Sequence, residues 1–190
     1  MPEKMNKWDT VLLRGGGFPA FWYNYGYGCA IYNQVSCFVG YSAGALCATI
    51  LTFPDLAMQN VLDEALRLRS DVRLGHLDYV ITKFLDQLLP EDAHTQANGK
   101  LGIILCRPCN MMKAEVVSHW SSRRELIACV VASSFCPGLV SCGLVDPVYG
   151  SVDGGLSCDL SAFSSSVSFV IDSCPPVNFM AYNPEHDLAK

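Results

Sequence analysis

The chain is poor in charged side chains and has no excess of basic ones. Charged residues make up 16% of its 190 residues, and the formal net charge is −5 at pH 7. This balance argues against a nucleic acid partner and against purely electrostatic docking on an anionic membrane. Hydrophobic residues make up 51%, a share typical either of a tight core or of a protein that contacts lipid.

Long apolar runs and targeting segments are also missing. The longest apolar stretch, residues 43–53, is too short to cross a bilayer. The N-terminal residues Met1 to Lys4 do not lead into the apolar segment that a signal peptide needs. We therefore expect a cytoplasmic protein whose ten cysteines are reduced.

Patterns for metal and nucleotide binding are absent as well. Cys106 and Cys109 form the only Cys-x-x-C pair, whereas a zinc site would need a second pair at similar spacing. A glycine run at residues 15–17 is followed by Phe18 and Pro19, not by the Lys-Ser/Thr of a P-loop. It does not continue with the spacing of a dinucleotide fingerprint either. We expect no cofactor and no metal.

A Gly-x-Ser-x-Gly sequence is the most informative feature that the chain does have. Gly40, Ser42 and Gly44 lie between an apolar run and a helix-like run. A serine at such a strand-to-helix corner presents its hydroxyl outward, and the glycines avoid a collision across the sharp turn. The N–H groups at the start of the following helix favour developing negative charge. The pattern predicts Ser42 as a nucleophile, although alone it is also compatible with a simple turn.

Two further glycine-containing segments flank this motif in the sequence. Gly15, Gly16 and Gly17 directly follow a short β-rich run, so their unobstructed N–H groups could stabilise an oxyanion. The alternative for this segment is a flexible loop. Asp153 precedes two glycines and could serve as a general base for a serine, although Asp-Gly is also a common hairpin turn.

These three blocks, in this order, resemble the patatin-like phospholipase family. The resemblance runs from about residue 10 to about residue 161 and includes a fourth block, the Ala-Ser-Ser-Phe-Cys-Pro-Gly of residues 132–138. It implies an α/β fold with a mainly parallel central sheet flanked by helices and a short C-terminal end. The length predicts one domain over residues 1–190.

The resemblance also implies a function and a set of site residues. It implies a lipid acyl hydrolase, of phospholipase A, lysophospholipase or acylglycerol lipase type, which cleaves carboxylic esters through an acyl-enzyme. Its dyad would be Ser42 as nucleophile and Asp153 as general base. Gly15, Gly16 and Gly17 would form the oxyanion hole, with supporting roles for Gly40, Gly44, Gly154 and Gly155. The partner would be a glycerolipid at a membrane or lipid-droplet surface, without metal or nucleic acid.

Two alternatives remain open at this point. After Asp153-Gly154-Gly155 the family usually continues toward Asp-Asn-x-Pro, whereas residues 158–161 read Cys-Asp-Leu-Ser, which suggests a non-catalytic lipid-binding or regulatory relative. The order Ser42, Asp153, His186 also matches a Ser-Asp-His α/β-hydrolase esterase. Few strands can precede Ser42, however, and the two glycines have no role in such a relay.

Hydrophobic periodicity predicts alternating strands and helices. We expect strands at residues 10–13, 35–39, 101–106, 114–119 and 167–171, and helices at residues 19–32, 45–51, 55–70, 77–89 and 124–134. The many aromatic side chains of the first helix are expected to pack in the core rather than to form an acyl-chain wall. Residues 55–70 and 77–89 are expected to cover the sheet rather than to act as a lid.

Overall fold

A computed structural model describes residues 8–157 and 167–172. These residues form six strands: β1 (Trp8–Leu13), β2 (Val35–Gly40), β3 (Leu101–Arg107), β4 (Lys113–Val117), β5 (Val152–Asp153) and β6 (Phe169–Ile171). They also form six α-helices: α1 (Gly17–Ile31), α2 (Ala43–Leu51), α3 (Met58–Leu68), α4 (Leu77–Leu88), α5 (Ala93–Ala97) and α6 (Arg123–Ser133). Every strand and helix expected from periodicity is present, and the described residues add the short β5, the short α5 and four 3-10 turns.

The strands form one mixed sheet in the order β4-β3-β2-β1-β6. The four strands β3, β2, β1 and β6 run parallel to one another, while β4 and β5 both pair antiparallel with β3. The central part of the sheet is therefore parallel, which confirms the expected α/β class. In the register of β1 and β2, Leu13 lies opposite Gly40, so the two strands end side by side.

Side chains of β1 alternate between two apolar clusters. Val11 and Leu13 join the main core, to which all six helices contribute, and Leu12 joins a smaller cluster on the opposite face. This alternation is the ordinary consequence of the two-residue period of a strand. Strand β3 is buried through its first six residues, as expected for a strand in the interior of a sheet.

The aromatic helix α1 only partly follows the expectation of core packing. Phe21 and Tyr25 are buried and stack with ring centroids 5.9 Å apart. Five other aromatic residues of this region are exposed instead: Phe18, Trp22, Tyr23, Tyr27 and Tyr32. The helix has aromatic side chains on more than one face, so only part of them can reach the core.

None of the helices in the part of the chain described above combines the length and apolarity needed to cross a bilayer. Helices α3 and α4 pack against each other, and α4 also contacts α6. Both helices also bury side chains in the main core.

Candidate active site

Ser42 occupies a strained corner between β2 and α2. Its backbone has φ 55° and ψ −132°, a conformation that is uncommon for any residue other than glycine. The Ser42 N–H donates to both the carbonyl oxygen and the Oγ of Ser133, each at 3.1 Å. Ser133 is fully buried, and its own hydroxyl donates to the Ile104 carbonyl at 2.6 Å. The corner is therefore anchored on β3 by a buried serine.

The glycines on either side of Ser42 permit close backbone approach. A Cβ atom at Gly40 would overlap the carbonyl oxygen of Gly44, four residues later. A Cβ atom at Gly44 would overlap the carbonyl oxygen of Leu13 at the end of β1. Both glycines thus allow the first turn of α2 to lie directly on the ends of the two central strands.

The glycine loop after β1 lies beside Ser42. A Cβ atom at Gly15 would lie 2.7 Å from the Ser42 Cβ, so only glycine fits there without displacement. Gly16 and Gly17 have φ angles of 143° and 71°, and α1 begins at Gly17. The first N–H groups of a helix have no intrahelical acceptor. The loop therefore brings unobstructed N–H donors and the start of a helix to Ser42.

Two helices begin at this site, α1 at Gly17 and α2 at Ala43. The N-terminus of a helix carries a partial positive charge, equivalent to about half an elementary charge. Both helix starts therefore favour negative charge that develops beside Ser42.

Asp153 reaches Ser42 through an unusual strand pairing. At Leu105, β3 pairs with β4 on one edge and with Asp153 of β5 on the other. The edge that β5 uses is the one that β2 occupies over residues 101–103 of β3. Strand β5 thus lies just beyond the end of β2, where the chain turns into Ser42.

The Asp153 carboxylate is buried, bonded by two donors and next to the Ser42 hydroxyl. Its relative exposure is 7%, and it accepts hydrogen bonds from the Gly155 N–H at 2.8 Å and from the Cys136 thiol at 3.7 Å. Burial raises the pKa of Asp153 above its ordinary value, and these hydrogen bonds partly oppose that rise. A buried carboxylate with a raised pKa is suited to accept a proton near neutral pH.

The two glycines after Asp153 have distinct structural roles. Gly154 approaches β3 so closely that a Cβ atom there would overlap the Ile104 carbonyl oxygen and lie 2.7 Å from the Tyr41 Cβ. Gly155 supplies the N–H that holds the Asp153 Oδ1. The pair therefore positions the carboxylate and does more than turn the chain.

Three residues of the site were not identified from the sequence, namely Arg14, Tyr41 and Cys136. The Arg14 guanidinium donates to the Tyr41 hydroxyl at 3.0 Å and forms an ion pair with Asp172 at 2.5 Å. It thereby links the start of the glycine loop, the residue before Ser42 and the end of β6. Arg14 precedes the glycine run and Tyr41 is the first variable position of the serine motif, but neither residue type alone signals this role.

Cys136 is the third of these residues, and it lies in the block of residues 132–138 that the sequence singled out. Its thiol is half-buried and donates to the Asp153 Oδ2. Burial, together with the neighbouring carboxylate, raises the pKa of Cys136 to about 11, so the thiol remains protonated at neutral pH. Nothing in the sequence indicated this contact, because it depends on how β5 pairs with β3.

The proposed site residues surround one cleft of about 450 Å³, the Ser42 cleft. Its walls include Ser42, Asp153, the three glycines of the loop and Cys136, together with apolar side chains such as Leu46, Ile81 and Val140. The structure thus places Gly15, Gly16, Gly17, Gly40, Gly44, Gly154 and Gly155 in or directly behind this site. Residues 158–161 and His186, on which the two alternatives depend, lie outside the described residues.

Comparison with known proteins gives several relatives of one kind. The chain is 33% identical over 155 residues to the human patatin-like phospholipase domain-containing protein 2. This match covers 72% of the chain. It is 31% identical over 171 residues to the mouse omega-hydroxyceramide transacylase, and 30% identical over 156 residues to the human 1-acylglycerol-3-phosphate O-acyltransferase PNPLA3. These matches cover 77% and 73% of this chain. A scan against protein-family models gives no match.

The matched regions cover 30%, 28% and 32% of those three relatives, so the chain spans about a third of their length. The names of these relatives describe phospholipase, transacylase and acyltransferase proteins. The chain belongs to the patatin-like phospholipase family.

Proposed function

We propose that the chain is a serine acyl hydrolase that cleaves carboxylic esters of lipids with a dyad of Ser42 and Asp153. One observation carries this proposal: the Ser42 hydroxyl and the buried Asp153 carboxylate lie side by side in one cleft, which the loop of three glycines also lines. The membership of a family of lipid-modifying proteins supports the same chemistry.

The first half of the reaction forms an acyl-enzyme. Ser42 Oγ forms a bond to the ester carbonyl carbon while its proton moves to Asp153. The carbonyl oxygen becomes an oxyanion, which the N–H groups of Gly16 and Gly17 and the nearby helix starts stabilise. The C–O bond to the alcohol then breaks, and the alcohol oxygen takes the proton from Asp153.

The second half regenerates the serine. A water molecule attacks the acyl carbon and gives its proton to Asp153, and the bond between Ser42 Oγ and the acyl group breaks. Ser42 recovers a proton from Asp153, and the free fatty acid leaves. If a lipid alcohol replaces the water, the same steps transfer the acyl group, as the names of the transacylase and acyltransferase relatives describe for those proteins.

The surroundings of the cleft favour a lipid ester as substrate. Three apolar residues that line the Ser42 cleft are largely exposed to solvent: Phe18 at 50%, Leu139 at 45% and Leu156 at 51%. Large exposed apolar side chains around a cleft are typical of a surface that binds an apolar partner. We include in the proposal a glycerolipid substrate, taken up where the cleft contacts a membrane or lipid-droplet surface. The protein would be cytoplasmic and peripheral.

Labelling with a fluorophosphonate probe tests the nucleophile. The probe should form a covalent adduct on Ser42, because an activated serine displaces its fluoride, and the variant Ser42→Ala should lose both the label and the hydrolysis of p-nitrophenyl esters. Ser36→Ala, which changes an exposed serine of β2, is the matched control and should label like the wild-type protein. If folded wild-type protein takes no label, the proposal is wrong and the chain is a non-catalytic relative instead.

A further inference from the structure

A second cavity adjoins the Ser42 cleft on the side of α3 and α4. Its volume is about 460 Å³, close to that of the cleft itself, and we name it the side chamber. Phe18, Phe21, Leu46 and Ile81 line both cavities. The two cavities therefore adjoin each other at these four residues.

The side chamber offers almost no hydrogen-bonding partner. Among the described residues that line it, Arg69 alone is charged, and it is exposed. Several of the others are exposed although they are apolar: Trp22 at 39%, Leu66 at 58% and Val72 at 41%. A ligand for such a space must be apolar over most of its length, because each buried polar group without a partner is costly.

An extended polypeptide segment is a poor occupant for this reason. Its backbone carries an N–H and a carbonyl group at nearly every residue, and the chamber walls could not satisfy them. A hydrocarbon chain has no such groups and gains free energy from each methylene that leaves water.

On the basis of the proposed function, we propose that the side chamber binds the distal part of the substrate's acyl chain, whose carbonyl carbon lies at Ser42. The acyl chain passes from the Ser42 cleft along the shared wall at Leu46 and Ile81 into the space between α1, α3 and α4. The chamber thereby makes the protein selective for long-chain over short-chain esters. Short acyl chains remain in the Ser42 cleft and do not use the chamber.

Filling the chamber tests this assignment. Ala65 of α3 is half-buried and lines the side chamber but not the Ser42 cleft, so Ala65→Trp places an indole in the chamber. Loss of several methylene contacts should lower kcat/KM for p-nitrophenyl palmitate by about tenfold or more, while p-nitrophenyl butyrate changes by less than about twofold. Asn60→Trp, at an exposed position of the same helix that lines neither cavity, should leave both values near wild type.

A smaller substitution keeps the test valid if the indole prevents folding. Ala65→Leu should lower the palmitate-to-butyrate ratio in the same direction but less, with a thermal melt confirming the fold. An unchanged ratio in folded Ala65→Trp or Ala65→Leu, or an equal loss for both esters, would overturn the assignment. If the proposed function itself were wrong, the wild-type protein would hydrolyse neither ester. That result differs from an active protein whose palmitate-to-butyrate ratio is unchanged by the Ala65 substitutions.

Discussion

The corner at Ser42 and the side chamber are neighbours, but they are built in different ways. The corner is held by backbone contacts: the N–H of Ser42 is bonded to Ser133, and Gly44 lies against the Leu13 carbonyl. The chamber is bounded by side chains from three helices, and several of them are exposed to solvent. At the corner a single added methyl group has no space, whereas the chamber has space for several.

This difference matches two requirements of the proposed reaction: a fixed geometry for the reacting atoms and a space that suits the acyl chain. The geometry of an ester cleavage is the same for every substrate, so the corner tolerates little change. The shape of the acyl chain differs between substrates, and a chamber made of side chains can be altered without moving the backbone. Substitutions at the corner should therefore affect all substrates, and substitutions in the chamber should change the preference among them.

The largest effect is expected from Gly44→Ala. The new Cβ atom would overlap a backbone oxygen of β1, which cannot move without displacing the central strand. We expect the free energy of unfolding to fall by about 3 kcal/mol or more, with loss of activity toward all esters. The midpoint of urea unfolding measures the change.

Gly26→Ala is the matched control for that substitution. Gly26 is an exposed residue inside α1, and a Cβ atom there would meet nothing within 4 Å. Alanine should raise the free energy of unfolding by about 0.5–1 kcal/mol, because glycine is the poorer helix former. If Gly44→Ala were as stable as Gly26→Ala, the tight contact between α2 and β1 would not exist in solution.

A smaller effect is expected from Cys136→Ala, which removes one donor from Asp153. The thiol hydrogen bond lowers the pKa of Asp153 and opposes the rise that burial causes, so its loss should raise that pKa further. The base must be deprotonated to act, and therefore the acidic limb of the kcat/KM profile should move to higher pH. The profile is measured on p-nitrophenyl butyrate.

Two variants control for a purely structural effect of that change. Cys136→Ser keeps a donor and should return the acidic limb toward its wild-type position. Cys142→Ala removes an exposed thiol and should leave the profile unchanged. An acidic limb that moves to lower pH in Cys136→Ala would contradict the contact with Asp153.

Much of this corner could be predicted from the sequence because it depends on local chemistry. Gly40, Ser42 and Gly44 form a strand-to-helix corner wherever β2 and α2 are formed, and periodicity predicts both elements. The glycine loop after β1 can be predicted from the sequence for the same reason.

The other features of the site could not be predicted, because they depend on contacts between distant parts of the chain. The two-residue strand β5 is too short to give a periodic signal, yet its pairing with β3 places Asp153, which lies next to Ser42 and accepts a hydrogen bond from Cys136. The Arg14 links to Tyr41 and Asp172 span 27 and 158 residues of sequence. The aromatic residues of α1 were assigned to the core as a group, although Trp22 lies on the rim of the side chamber.

The central claim is that Asp153 itself is the base for Ser42, and comparison of Asp153→Asn with His186→Ala tests it most directly. An amide keeps the shape of the carboxylate but cannot accept the serine proton, so folded Asp153→Asn should lose hydrolysis of a short-chain ester by about a hundredfold or more. His186→Ala should retain activity within about threefold, since the dyad requires no histidine. A folded but inactive His186→Ala, beside appreciable activity in Asp153→Asn, would contradict the dyad and indicate a Ser-Asp-His esterase.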